Sequence, residues 1–195
     1  MNNPEYVLID GVKIKIHTDF RYALKCQEIA EDNSINNYEK QLGIIYTLFD
    51  EEGINTLCND EKLLEMAKKY LMGRPSSKKE YVSNKKQEKD MDYEEDMDLI
   101  IASMWQEYNI DITKEKLHWW LFFDLLNGLS SECIFNRVRE IRNTDISKIK
   151  DRTAREQMIE LKNKYSLKKK QRVLTEEQKR SVDTFYELTG IKKEV

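Results

Sequence analysis

Apolar residues recur at helical spacing along most of this chain, most densely between Asp98 and Gly128. The first half of that stretch has them on one stripe of a predicted helix: Met97, Ile100, Ile101, Met104, Trp105 and Tyr108. The second half is apolar around most of a helix: Leu117, Trp119, Trp120, Leu121, Phe122, Phe123, Leu125 and Leu126. Because such a surface needs protein to cover it, this second helix is predicted to be either a core element or a docking surface.

The N-terminal residues are the exception to helix and predict a β-hairpin. Two short apolar runs, residues 6–9 and 12–16, flank Asp10-Gly11, a dipeptide typical of two-residue hairpin turns. The second run alternates apolar and polar residues, so one of its faces should be buried while the other meets solvent. An isolated hairpin is only marginally stable, which means that this one must pack on helices or on a partner.

Helical spacing elsewhere predicts six more helices. Their apolar positions are Tyr22, Cys26, Ile29 and Ala30; Tyr38, Leu42, Ile45, Tyr46 and Phe49; Leu63, Ala67, Tyr70 and Leu71; Ile134, Val138 and Ile141; Ala154, Met158, Leu161 and Tyr165; and Val182, Phe185 and Tyr186. Gly53 is predicted to stop the second of these, while Thr113 and Ser130 are predicted N-caps of the aromatic helix and of its successor. The fold class is therefore mainly α, a helical bundle with a short N-terminal β-hairpin.

Composition divides the chain into three parts. Residues 1–73 are predicted to form the hairpin and its helices, and residues 92–195 a C-terminal helical unit with a basic tail. Residues 74–91 are charged and nearly free of apolar side chains, which is typical of a flexible linker. Whether the two flanking parts fold separately or as one domain stays open at this point.

Charge and cysteine content restrict the class of protein. A net charge of -3, from 33 basic and 36 acidic residues, gives no overall attraction to nucleic acid or to acidic lipid. The three cysteines, Cys26, Cys58 and Cys133, lie far apart and are expected to be reduced thiols. Neither a membrane-spanning apolar run nor a secretion leader is recognisable, so a soluble intracellular protein is expected.

No arrangement of residues in the sequence predicts catalysis. His118, Asp124 and Cys133 are loose candidates for a nucleophilic set, but a spacing of six residues places the first two on opposite sides of one helix. The two histidines and three cysteines lack metal-ligand spacing, and glycine-rich phosphate loops are absent. We therefore expect no enzymatic activity and assign no catalytic, cofactor-binding or metal-binding residue.

Two groups of residues are candidates for partner binding. The first consists of aromatic side chains on the apolar helix, and the second of basic side chains near the C-terminus: Trp119, Trp120, Phe122 and Phe123, with Lys168, Lys169, Lys170 and Arg172. Basic residues mixed with an aromatic can also bind phosphate backbones, so a nucleic-acid-binding regulator is a rival interpretation.

Several segments together resemble a family of small proteins from tailed phages and prophages of low-GC Gram-positive bacteria. They are YVLIDGVKIKIHTDFRYALK at the start, YEEDMDLIIASMWQEYNIDI and LHWWLFFDLLNGL in the middle, and EIRNTDISKIKDRTAREQMIELKNKYSL towards the end. Relatives often carry glycine after the tyrosine where this chain has Asn109. Because asparagine also tolerates a positive φ, we expect the same turn there.

The resemblance implies a non-enzymatic tail assembly chaperone. Genes of this family lie between those for the major tail protein and the tape measure protein. The implied role is to bind the tape measure protein and to help recruit major tail protein subunits, in the cytoplasm of the infected or lysogenic host, without remaining in the mature virion. A structural tail component that remains in the particle is a second rival interpretation. Self-association stays open, and neither membrane nor nucleic acid is an expected partner.

Overall fold

The structure, a computed structural model, describes residues 3–75 and 89–168. A β-hairpin comes first and eight α-helices follow within these residues. The strands are β1 (Tyr6–Ile9) and β2 (Val12–Lys15); the helices are α1 (Phe20–Glu31), α2 (Asn37–Leu48), α3 (Glu51–Leu57), α4 (Asp60–Leu71), α5 (Met97–Tyr108), α6 (Trp119–Gly128), α7 (Ile134–Asn143) and α8 (Arg152–Lys164), with a short 3-10 helix at Ile146–Lys148. The mainly α fold with an N-terminal hairpin is thereby confirmed.

The described residues form two compact units. The hairpin unit consists of Pro4–His17 and Arg21–Leu71, and thus contains the hairpin and most of α1 to α4. The aromatic unit consists of Asn3, Thr18–Phe20 and residues 72–75 and 89–168. Most of the predicted linker, residues 76–88, lies outside the described residues, as does the predicted helix around Val182. Among the described residues, no helix is both long and apolar enough to cross a membrane.

The hairpin has the predicted turn. Asp10 and Gly11 both have positive φ, 51° and 82°, as a two-residue turn of type I′ requires. Val7 pairs with Ile14, and Ile14 is fully buried. The core of this unit also contains the side chains Ile9, Ile16, Ala23, Cys26, Ile45, Leu48, Phe49, Ile54, Leu63, Ala67 and Tyr70. The hairpin therefore buries its inner face against the helices of its own unit. This agrees with the expectation that two strands alone would not be stable.

Asp50 joins β2 to α3. Its carboxylate accepts hydrogen bonds from the backbone N–H of Lys15 at 2.8 Å and of Gly53 at 3.3 Å, so it caps α3 while holding the strand. Gly53 was expected to stop the preceding helix, and that prediction is wrong. α2 ends at Leu48, and Gly53 lies inside α3, where a Cβ would come within 2.5 Å of the Ile14 side chain. The glycine is needed for close packing rather than for a turn.

The aromatic unit is built around α5, α6 and α7. Its buried apolar side chains are Phe20, Ile100, Met104, Ile112, Trp119, Phe122, Leu126, Leu129, Cys133, Phe135 and Val138. Ser103 is also buried, and its hydroxyl accepts the Phe135 backbone N–H at 3.2 Å, which ties α5 to the start of α7. Asn109 ends α5 with φ 55°, so the predicted left-handed turn is confirmed.

An ionic cluster holds the residues before α5 against α7 and the end of α8. Arg142 binds the carboxylate of Asp96 through two hydrogen bonds of 2.7 Å, and it donates to the carbonyls of Asp90 at 2.9 Å and Tyr165 at 2.6 Å. The Asp96 side chain is 1% exposed. Because a buried carboxylate requires compensation, removal of Arg142 alone would leave the Asp96 charge buried without its cation.

Candidate partner-binding surfaces

The aromatic helix α6 starts beside an extended segment of its own unit. The backbone N–H of Trp119 donates to the Thr18 carbonyl at 2.7 Å, and the Phe20 N–H donates to the Leu117 carbonyl at 2.9 Å. The N-cap is His118, whose Nδ1 accepts the Trp120 N–H at 3.1 Å. The prediction that Thr113 caps this helix is therefore wrong.

Half of the aromatic candidate residues belong to the core. Trp119 and Phe122 are both fully buried, and the Phe122 ring stacks on Phe20 with ring centroids 4.3 Å apart. A partner would reach these two side chains only if the unit opened. At these positions α6 is a core element, the first of the two predicted alternatives.

The other two aromatic candidates are half-buried under neighbouring residues. The Arg74 guanidinium lies 5.6 Å from the centre of the Trp120 ring and also pairs with Asp124 at 3.1 Å. Phe123 packs so closely on Gly73 that a Cβ there would lie 2.9 Å from the ring. Gly73 has φ 87°, which suits glycine at this close approach. Trp120 and Phe123 therefore offer only part of each ring to a partner.

The sequence pattern missed the most exposed aromatic side chain of this unit. Trp105 was predicted on the apolar stripe of α5, yet it is 55% exposed, whereas Ile100 and Met104 are fully buried. Leu121 on α6 is 40% exposed. The core-facing line of α5 runs instead through the buried Ser103, whose hydroxyl accepts the Phe135 N–H, and helical spacing alone gave no signal of this.

The hairpin unit exposes apolar side chains of its own. Leu8 is 68% exposed and Tyr6 is 43% exposed, both on the outer face of the hairpin. Their cross-strand partners are Lys13 and Lys15, and the Lys13 ammonium lies 4.0 Å from the centre of the Tyr6 ring. The outer face of the hairpin is thus apolar and basic.

Of the basic candidate residues, Lys168 alone lies within the described residues. Its side chain is exposed, and its backbone N–H donates to the Glu95 carboxylate at 3.1 and 3.2 Å. The remaining candidates, Lys169, Lys170 and Arg172, lie outside the described residues.

The loose nucleophilic candidates all have structural contacts. His118 caps α6, Asp124 pairs with Arg74, and the Cys133 sulfur accepts the Asn136 N–H at 3.4 Å as the N-cap of α7. Burial raises the pKa of the Cys26 thiol to about 12, which keeps it protonated at neutral pH. Among the described residues, no three His, Cys, Asp or Glu side chains form a group that could hold a metal ion.

Comparison with known proteins gives a family. Residues 2–167 match the family described as Bacteriophage Gp15 protein. The chain belongs to the bacteriophage Gp15 family. No curated protein and no solved structure matches it.

The family match includes residues of both units and ends at residue 167, immediately before the basic candidates that begin at Lys168. Features of the two units, including the hairpin and the exposed Trp105, thus fall within the Gp15 match. The basic residues from Lys168 onward do not, so they contribute nothing to the family assignment.

Proposed function

We propose that this Gp15-family phage protein is a non-enzymatic tail assembly chaperone. It binds the tape measure protein before the tail tube forms and helps to recruit major tail protein subunits. It acts in the cytoplasm of the bacterial host and is released before the virion is complete.

The observation that carries the proposal is the exposure of apolar side chains on both units of a phage-family protein. Within the described residues, apolar side chains are exposed on each unit: Leu8 on the hairpin unit, and Trp105 and Leu121 on the aromatic unit. A tape measure protein is long and helical, and its free apolar faces would aggregate. A chaperone for it needs many modest contacts that can be reversed, which small separate patches provide.

The energetic scale of these patches suits transient binding. Burial of a large apolar side chain contributes roughly 1.5–3 kcal/mol before the costs of association. Single patches of this size give weak binding, and several chaperone copies on one extended chain gain from effective concentration. Tube subunits can then displace the copies one at a time.

Co-expression with the tape measure protein of the same phage tests the proposal. We expect a higher soluble yield of the tape measure and its co-purification with this chain, and no such effect on an unrelated aggregation-prone helical protein. An unchanged yield without co-purification would overturn the proposal.

Purified virions provide a second measurement. A chaperone should be absent from finished tails by mass spectrometry, whereas its stoichiometric presence would indicate a structural tail component. A salt-dependent gel shift at micromolar protein, without tape measure binding, would instead indicate a nucleic-acid-binding regulator.

A further inference from the structure

We propose that the outer edge of β1 is a docking site for an extended segment of another protein that alternates acidic and apolar residues. This docking site rests on the proposed function, because a chaperone must bind a partner chain.

The register of the hairpin decides which backbone groups point outward. Next to a two-residue turn, the Ile9 and Val12 pair is hydrogen-bonded, and such pairs alternate with non-hydrogen-bonded ones. The N–H of Ile16 donates to the Glu5 carbonyl at 2.9 Å, which continues the same alternation. Tyr6 and Leu8 therefore turn their N–H and C=O groups away from β2.

The part of the chain that the structure describes leaves these outward groups of β1 unpaired. Among the described residues, the backbone of Tyr6 and Leu8 has no hydrogen bond on that side. Buried backbone groups are almost always paired, so groups without partners face water. The opposite edge differs, because Lys15 of β2 exchanges hydrogen bonds with Asp50. β1 consequently offers two donors and two acceptors to an added strand, in the geometry of strand addition.

The charge on the outer face selects the occupant. Tyr6 and Leu8 share that face with Lys13 and Lys15, and none of these four residues is acidic. The lysines belong to β2, but the Lys13 ammonium lies over the Tyr6 ring of β1, 4.0 Å from its centre. A second copy would bring the same ammonium to an added strand, whereas acidic side chains on the added strand would bring the complementary charge. The expected segment therefore places acidic side chains on the face of the lysines and apolar ones on the opposite face, beside Val7.

A blocked synthetic heptapeptide of alternating glutamate and valine is the probe, with lysine and valine as its charge-reversed counterpart. Fluorescence anisotropy of the labelled peptides with the full chain measures affinity, and amide NMR shifts locate the site. We expect the glutamate peptide to bind at least tenfold more tightly than the lysine peptide and to shift the amides of Tyr6 and Leu8.

Two substitutions at one position separate backbone pairing from side-chain contact. Leu8→Pro removes an N–H that the hairpin itself does not use, so the strand should persist while affinity falls at least tenfold. Leu8→Thr keeps the N–H and strand propensity, and should stay within about threefold of the original affinity. The double variant Lys13→Glu/Lys15→Glu should reverse the preference between the two peptides. This test is independent of Leu8→Pro and remains decisive if that variant does not fold.

Equal binding of the two peptides, or unchanged affinity in a folded Leu8→Pro variant, would overturn the inference. A dimer of the free protein that Leu8→Pro abolishes would also overturn it, in favour of a second copy at this edge. Because the peptides do not involve the tape measure protein, failure here is distinguishable from failure of the proposed function.

Discussion

Replacement of Arg142 by methionine should destabilise the aromatic unit far more than the loss of an exposed ion pair would. Arg142→Met retains an unbranched apolar stem but removes both 2.7 Å hydrogen bonds to Asp96. The Asp96 carboxylate then keeps the hydrogen bond from the Asp92 N–H at 3.0 Å, and it remains buried.

The magnitude follows from this geometry. Hydrogen bonds to charged groups contribute about 1.5–3 kcal/mol each, so the two bonds to Asp96 together represent about 3–6 kcal/mol. Removal of one member of a buried ion pair costs about 3–5 kcal/mol, in the same range. Since domains are stable by only about 5–15 kcal/mol, the variant should lose a large part of its free energy of unfolding.

Urea unfolding followed by tryptophan fluorescence measures this loss. The three tryptophans, Trp105, Trp119 and Trp120, all lie in the aromatic unit, so the signal reports that unit. The matched control is Arg152→Met, because Arg152 pairs with Glu156 at 2.8 Å while 91% exposed. The control should change the free energy of unfolding by less than about 1 kcal/mol.

The double variant Asp96→Leu/Arg142→Met should recover at least half of the loss, since it removes the orphaned charge as well. A loss below about 1 kcal/mol in Arg142→Met, or one equal to that of the control, would refute the reasoning. The reasoning would also be refuted if the double variant lost as much free energy of unfolding as the sum of the losses in the two single variants.

Four more predictions follow from named contacts. Gly53→Ala should cost about 1–3 kcal/mol in thermal unfolding followed by circular dichroism, because its Cβ would collide with Ile14; a more stable variant would contradict this. Asn109→Ala should cost about 1 kcal/mol by urea titration while Asn109→Gly costs none, because φ is 55°; equal stability of the two would contradict this. Burial raises the Asp92 pKa, but hydrogen bonds from Lys89 and the Glu94 and Glu95 N–H groups outweigh it and lower the pKa from 3.8 to about 2. The stabilisation from Asp92 should therefore be present above pH 4 and lost as pH falls towards 2; acid titration of Asp92→Asn should lack this part of the loss. Trp105→Ser should leave the free energy of unfolding within about 0.5 kcal/mol while it lowers the soluble yield of co-expressed tape measure protein; Gln106→Ala on the same helix should change neither.

Elements defined by neighbouring residues were predictable from the sequence. Asp10-Gly11 specifies a turn by its own backbone preferences, and the turn and the two strands around it agree with the prediction. The left-handed end of α5 at Asn109 was expected from the resemblance, because relatives often carry glycine there and asparagine tolerates the same positive φ. The two failed caps have different causes. Thr113 bonds to Asp111 two residues before it, whereas a distant residue competes for Ser130. Ser130 was expected to cap α7, but it hydrogen-bonds to Glu107, and Cys133 is the cap.

Features that depend on residues far apart in the chain were not predictable. Asp96 and Arg142 lie 46 positions apart, and neither residue type signals a buried pair by itself. The same limit applies to the candidate surfaces. Helical spacing placed Trp105 with the core residues of α5, but the packing of α7 on Ser103 decides which side of that helix is covered. Periodicity identifies an apolar stripe and leaves open how much of it another element covers.

The two kinds of candidate surface differ in what they can recognise. The exposed side chains of Trp105 and Leu121 provide apolar contact without backbone hydrogen bonds, which suits the side of a partner helix. The edge of β1 offers backbone donors and acceptors, which only an extended segment can use. Because both units belong to one chain, a partner held weakly at one surface meets the other at an effective concentration set by the connection between them. Leu8→Pro and Trp105→Ser should therefore each weaken capture of a partner that contains both helical and extended segments, and their combination should weaken it by more than either change alone.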